Sequence, residues 1–303
     1  MKTIYLTIGF VVTTMMSFAQ QEYSFTHFAD VRSVFNPAST GTEGFQKITG
    51  IFRKQWVGLA GSPMTGGLNY EHPLEKFNMG LGGYVFSDKI GETSLTNVVV
   101  NYRYSLKLGT DHKLAFGLSL GADFINTNND RLVYWDESDP MFNGGNYSVV
   151  TPRAGLGITY YGEKYFLGIS VPRLLTFNDK HNVSIDREDM PSLVSHYYLS
   201  GGYNFELNNE FDLRTIMLGK YTPNVIPQGD INVTAVYRKL VGLGLGYKSL
   251  GFASINALYN YKELFSIGYA FDFTLTRVAN YSQGSHEIML RYAFPNRIAK
   301  EKF

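Results

Sequence analysis

Few stretches of this 303-residue chain carry residue types that could do chemistry. Gly117-Leu118-Ser119-Leu120-Gly121 spells the G-x-S-x-G pattern of a serine nucleophile, which works only where a strand turns sharply into a helix and lifts the hydroxyl clear. Here Leu114, Phe116, Leu118, Leu120, Ala122 and Phe124 alternate with Ala115, Gly117, Ser119, Gly121 and Asp123, so Ser119 is expected in mid-strand, where that chemistry has no footing. The six histidines (His27, His72, His112, His181, His196 and His286) have no metal-type spacing, and no HExxH occurs. Asp130 with Asp136, Glu137 and Asp139 could offer oxygen ligands to a hard cation, but the spacing fits no EF-hand loop and a solvated loop is expected. Gly80–Tyr84 and Gly242–Tyr247 look like nucleotide loops until the missing helix is noticed. No catalytic, cofactor-binding or metal-ligating set is assigned, and the chain is read as a non-enzyme. A surface hydrolase built on Ser119 is an alternative that nothing specific supports.

The elements that must position these residues begin with an export signal. Lys2, the apolar run Ile4 to Met16 and Ser17-Phe18-Ala19 read as a secretory signal peptide over residues 1–19, leaving Gln20 as the new N-terminus. The apolar run is too short for a spanning helix. The chain contains no cysteine, which excludes disulfides, thiolate metal sites and lipid attachment through a cysteine. A net charge of +1 gives no electrostatic reason to expect nucleic acid. Charged residues make up 17% and aromatic residues 15%, with 31 glycines, a balance that suits either a secreted sandwich or an outer-membrane barrel.

Periodicity separates those two. Tyr197, Leu199, Tyr203, Phe205 and Leu207 oppose His196, Ser200, Gly202, Asn204 and Glu206. Phe265, Ile267, Tyr269, Phe271 and Phe273 oppose Ser266, Gly268, Ala270 and Asp272. Ile288, Leu290, Tyr292 and Phe294 oppose Glu287, Met289, Arg291 and Ala293. The polar faces are Gly, Ser, Ala and Asn with occasional charge, unlike the Lys, Glu and Thr of a solvated sandwich. Apolar faces ending in Tyr or Phe fit an interfacial girdle, and runs of about ten residues fit a tilted crossing of hydrocarbon.

About fourteen such segments are expected, starting near Gln46, Met64, Phe77, Thr93, His112, Ser148, Lys164, Ser195, Glu210, Gly229, Val241, Phe252, Glu263 and Ser285. Long links (Thr127 to Tyr147, Leu174 to Val194) alternate with tight turns at Gly162, Asn208 and Lys239, as in barrels with long outer loops and short periplasmic turns. The fold class is therefore an all-β transmembrane antiparallel up-and-down barrel over residues 46–294, with a C-terminal tail over 295–303. Residues 20–45 form a segment lying in the periplasm or inserted in the lumen. Arg103, Lys107, Asp123, Glu206, Arg238, Asp272, Glu287 and Arg291 are expected inside, where mixed signs favour a filled lumen over a selective pore.

Two boxes near the start of the barrel carry a resemblance. Phe35, Asn36, Pro37, Ala38 and Gly41, followed by Gln55, Trp56, Gly58, Gly61, Pro63 and Thr65, are similar to the signatures of the PorP/SprF family, outer-membrane proteins of the type IX secretion and gliding-motility machinery of Bacteroidetes; Ser39 stands where that family more commonly has an aromatic residue. Gly80–Gly91, Gly168–Leu175 and Gly284–Phe294 extend the likeness along the mature chain. The resemblance implies a non-enzymatic barrel supporting export or surface anchoring of adhesin-like cargo with a C-terminal sorting domain. It implies outer-membrane lipid as surroundings, and periplasmic ring or peptidoglycan-binding components as further partners. A channel or hydrophobic-substrate transporter is the alternative. From the residues themselves, Phe35, Asn36, Pro37, Gln55, Trp56, Gly58, Gly61 and Pro63 read as devices that place the N-terminal segment and the first outer loop: proline fixes φ and extends the residue before it, and Gly58, Gly61 and Pro63 shape a tight link.

Overall fold

Peptide groups facing hydrocarbon must find their hydrogen bonds within the chain, and this chain finds them by closing a sheet on itself. The computed structural model describes residues 23–128, 146–174, 195–223 and 225–295. The first five strands are β1 Lys47–Lys54, β2 Met64–Leu74, β3 Met79–Ile90, β4 Thr93–Leu108 and β5 His112–Thr127. They are followed by β6 Tyr147–Tyr161, β7 Tyr165–Val171, β8 Tyr197–Glu206, β9 Phe211–Tyr221 and β10 Gln228–Tyr237. β11 Val241–Lys248, β12 Phe252–Tyr261, β13 Phe265–Thr274 and β14 Ser285–Ala293 complete the wall. Each strand pairs antiparallel with its sequence neighbours, and β1 pairs with β14 from Lys47↔Ala293 to Lys54↔His286, so the sheet has no free edge.

Six strands begin at the expected residues (Met64, Thr93, His112, Val241, Phe252 and Ser285), and the others are displaced by one or two. Tight turns at 75–78, 109–111, 162–164, 207–210, 238–240 and 262–264 all lie at the end where the barrel chain enters and leaves. At the opposite end the connections vary, and two of them, 91–92 and 249–251, are as short as the turns. The acidic run at Asp136 to Asp139 and the proposed signal peptide lie outside the described residues.

The two faces divide as the alternation requires. Leu118, Leu120, Leu243, Leu245 and Leu290 are exposed on the outside, while Asn69, Asn101, Asp272 and Glu287 are completely buried inside. An outer surface this apolar is matched by a lipid solvent, not by water. Near the short-turn end the outward aromatics pack pairwise around the rim, Tyr203 on Phe205 (4.4 Å), Phe211 on Tyr237 (4.9 Å) and Phe265 on Tyr292 (4.8 Å), as an interfacial girdle does.

The lumen is filled. Residues 23–45 run through it and pack Tyr23, Phe25, Phe28, Val31, Val34 and Phe35 against inward side chains such as Phe86, Val99, Phe166 and Met289. This filling changes what interior substitutions should do. Leu118→Arg on the lipid face should cost about 2–4 kcal/mol at mid-bilayer. Ser119, buried at 1% exposure, has no room for arginine, so Ser119→Arg should also prevent folding instead of serving as a mild control. Urea titration of the barrel reconstituted in lipid, read by heat-dependent gel mobility, checks both.

Candidate functional site: a plugged lumen

The plug starts near the long-loop end and runs down the lumen to the short-turn end, where it leads into β1. It consists of a 3-10 turn at Phe28–Val31, helix α1 at Arg32–Phe35 and a second 3-10 turn at Pro37–Ser39. Asn36 is driven into extended geometry (φ −140°, ψ 109°) by the proline that follows, and Pro37 opens the second turn. The Asn36 side chain then works at both ends. Its Oδ1 accepts from the Ala38 N–H at 2.9 Å, capping the turn, and its Nδ2 donates to Thr159 Oγ1 at 3.0 Å and to the Ile158 carbonyl at 3.2 Å. Phe35 packs edge-on to Tyr198 at 5.6 Å, while its carbonyl accepts from Ser170 Oγ at 2.7 Å. One asparagine thus ties the plug to β6, and its neighbour ties it to β7 and β8.

The barrel wall is flat where this contact occurs because glycines line it. A Cβ on Gly117 would strike the Ala38 backbone, and one on Gly157 would strike Asn36 Oδ1. At Gly268 an added Cβ would meet His27 Nε2 at 2.7 Å. The glycine richness of the sequence is here a docking surface.

Buried charge holds the plug at three heights. Uppermost, the backbone N–H groups of Thr26 and His27 donate to the Glu287 carboxylate at 2.8 and 2.7 Å, and His27 Nδ1 lies 2.8 Å from the same group. Arg53 bridges Asp272 (2.6 Å) and Glu287 (3.2 Å), and Lys248 Nζ reaches Asp272 at 3.0 Å and Thr26 Oγ1 at 2.9 Å. Nearby, Tyr23 hydrogen-bonds Asn97, and Asp123 is held between Arg153 (3.4 Å) and Arg173 (2.9 Å). Lower down, Glu71 accepts from Ser33 Oγ at 2.9 Å and from the Gly41 N–H at 2.6 Å. At the foot, outside the strands, Glu43 pairs with Lys47 at 2.8 Å and Arg32 at 3.0 Å, and Asp30 pairs with Arg291 at 3.4 Å. Burial by itself would raise the Glu43 carboxyl, but Lys47, Arg32 and Arg291 together hold it down at about 2.

The second box lies elsewhere. The Gln55 N–H donates to the Pro63 carbonyl at 2.9 Å, closing the loop between β1 and β2. Trp56 adopts a left-handed backbone (φ 49°), an uncommon conformation for a bulky residue, and stacks its ring on Phe252 at 6.3 Å. Gly58 (φ 98°) and Gly61 (φ 70°) supply the remaining left-handed positions. Val57 exchanges hydrogen bonds with Gly284 (2.8 Å) and Gln283 (2.7 Å), and the Gly91 N–H donates to the Gly61 carbonyl at 2.8 Å. The loop is therefore clamped to its neighbours at the long-loop end, while Phe35, Asn36 and Pro37 sit lower in the lumen. The structure does not bring the two boxes together.

Of the charges expected inside, Arg103, Asp123, Asp272, Glu287 and Arg291 are buried there. Lys107 is instead exposed at the short-turn end, and Glu206 and Arg238 are exposed at the rim of the lumen's mouth there, where Arg238 pairs with Glu210. Sequence reasoning missed His27, Arg53 and Lys248 as groups that join plug and wall. Only their inward parity within strands, or for His27 its place in the N-terminal segment, could have marked them. Ser119 sits mid-strand in β5 facing the interior, with no strand-to-helix turn beside it. Among the described residues no three His, Asp or Glu side chains converge as a metal would require.

Comparison with known proteins gives the chain its relatives. A family model described as type IX secretion system membrane protein PorP/SprF matches residues 17–292. No curated protein matches the chain. Among solved structures, the toluene transporter TbuX of Ralstonia pickettii superposes with a TM-score of 0.52 at 10% identity, covering 86% of this chain and 93% of its own. Omp33 of Acinetobacter baumannii gives 0.46 at 8% identity over 84% and 100%. A Pseudomonas aeruginosa FadL homologue gives 0.48 at 11% over 86% and 94%. At such identities the likeness to TbuX shows the outer-membrane barrel fold.

Three outcomes test the plug. Asn36→Ala should loosen it by about 1–3 kcal/mol by stranding its partners, read as faster trypsin cleavage at Arg32 in the intact barrel. Arg53→Ala should cost about 3–5 kcal/mol, because two buried carboxylates lose their common cation. The depressed pKa of Glu43 stabilises the foot fully above its ordinary value near 4.5, and that contribution vanishes as pH falls through about 2. The protection of residues 40–46 against hydrogen exchange, taken relative to the intrinsic rate at each pH, should therefore be flat above that upper value and fall below it.

Proposed function

The chain belongs to the PorP/SprF family of type IX secretion system membrane proteins, and on that footing we propose that it is a closed, non-enzymatic anchor for sorting-domain cargo. It is a type IX secretion barrel of the outer membrane, with its short turns in the periplasm and its loops outside. The observation that carries the closed reading is the plug, held by Asn36 and by buried ion pairs from the periplasmic mouth to the level of Arg53. A pore for a polar solute needs a continuous water path, and a carrier of apolar molecules needs an apolar interior. The plug closes the first route, and buried polar side chains such as Asn69, Asn101, Arg103 and Glu287 deny the second an apolar interior.

In this reading Phe35, Asn36 and Pro37 keep the lumen shut, and Gln55, Trp56, Gly58, Gly61 and Pro63 give the first outer loop a fixed shape against which cargo docks. Periplasmic ring or peptidoglycan-binding components meet the opposite face. The anchor role accounts for a molecule that spends its interior on rigidity: a tether under load needs a barrel that does not deform.

Two measurements decide the matter. In planar bilayers the intact protein should show no steady conductance, and deletion of residues 23–45 should open one; an intact barrel that conducts steadily would make it a channel. Co-purification from outer membranes should recover cargo with a sorting domain, and Trp56→Ala should lower that recovery by about tenfold or more while heat-dependent mobility is unchanged. Recovery that is indifferent to Trp56 would remove the loop from the docking face.

A further inference from the structure

Among the described residues the plug leaves a large space in the lumen. A cavity of about 790 Å³ opens at the short-turn, periplasmic mouth, between Asp30, Arg32 and Glu43 of the plug and the inner walls of β8, β9, β10 and β12. Its volume lies in the range of sites that enclose a specific ligand. Both signs of charge occur at every depth. Asp30–Arg291 (3.4 Å) and Glu43–Arg32 (3.0 Å) lie at the floor, Asp212 and Arg214 on the wall, and Lys164–Glu206 (2.7 Å) and Glu210–Arg238 at the rim.

Two acceptors there are unpaired. Asn260, 7% exposed, gives its Nδ2 to the Lys239 carbonyl at 3.0 Å, which leaves its buried Oδ1 without a partner, and the Oδ1 of Asn204 is in the same state. A buried acceptor left empty costs roughly 1–3 kcal/mol, which a ligand N–H would recover. Ile216 and Val236 supply a small apolar wall between them.

These features select among ligands. A polyanion would meet Asp212, Glu206 and Glu210, and a polycation would meet Arg214, Lys164 and Arg238, so single-sign ligands are repelled. An apolar molecule would strip water from charges on all sides without replacing it. What matches is a chain that offers N–H donors at regular intervals and side chains of both signs.

We propose that the vestibule binds a short polypeptide segment of mixed charge, presented by a protein from the periplasm. Bound there, the segment exchanges ion pairs with the rim and donates backbone N–H groups to Asn204 and Asn260. It also bears on Asp30, Arg32 and Glu43, so that occupancy is felt directly by the plug. The proposal stands apart from cargo docking, which concerns the other end of the barrel.

The test uses the purified full-length protein in detergent and a fluorescein-labelled peptide alternating Lys and Glu, compared by polarisation with all-Lys and all-Glu peptides of equal length. The alternating peptide should bind saturably and at least about tenfold more tightly than either of the others. Asn260→Leu, which removes the empty acceptor at similar volume, should weaken it severalfold, and Ile216→Trp, which fills the cavity, should abolish it. Leu243→Ile on the lipid face should leave it unchanged. Absence of saturable binding, equal binding of all three peptides, or binding indifferent to both cavity variants would overturn the proposal and leave a water-filled vestibule. Because Ile216→Trp could fail to assemble, the Asn260→Leu arm, scored only in barrels with normal heat-dependent mobility, decides by itself.

Discussion

Hydrocarbon offers a peptide group no hydrogen-bond partner, and the wall of this molecule is arranged around that constraint. β1 has to find β14 across nearly the whole length of the chain, because an open edge would leave a row of N–H and C=O groups facing lipid at several kcal/mol each. Closure then sorts every strand residue into outside or inside. Leucine, valine and the rim aromatics go to the lipid, and whatever is small or polar is committed to an interior it cannot leave. An interior assembled in this way is unsuited to an apolar core of its own barrel side chains, and this shapes the rest of the structure.

The plug answers that interior. Its aromatic residues bring apolar mass into a lumen that has little, and its backbone N–H groups at Thr26 and His27 meet the Glu287 carboxylate on the wall. Buried ion pairs are poor evidence of stability in general, since desolvation offsets much of their attraction. Here they do something else, which is to fix position. Glu287 accepts two successive backbone N–H groups and Arg53, so residues 26 and 27 can sit at one height only. Glycines at 117, 157 and 268 set the clearance between plug and wall, which makes the fit sensitive to single carbons.

The two ends of the barrel are consequently different kinds of surface. At the outer end, hydrogen bonds between loops 55–63 and 281–284 hold Trp56 in a conformation its side chain disfavours, which costs of order 1–3 kcal/mol and persists only because the neighbours enforce it. At the short-turn end the connections are minimal and the plug stops short of the far wall, leaving a charged vestibule. The two ends are joined by a filled lumen.

Much of this was legible in the amino-acid order. The period of two in segments such as Leu114 to Phe124, with small residues facing small residues, specifies a membrane barrel because no soluble sheet needs that inversion, and the turn residues mark where strands end. Pro37 likewise fixes the geometry of Asn36 through covalent structure alone. The partners of Asn36 on β6 and β7, the grip of Arg53 on Asp272 and Glu287, and the exposed fates of Lys107, Glu206 and Arg238 belong to another category. They depend on the stagger between strands and on how far each strand overruns the membrane. Alternation tells which face a side chain takes but not its height or its neighbour across the lumen, and those are fixed only when the sheet closes and the plug settles against it.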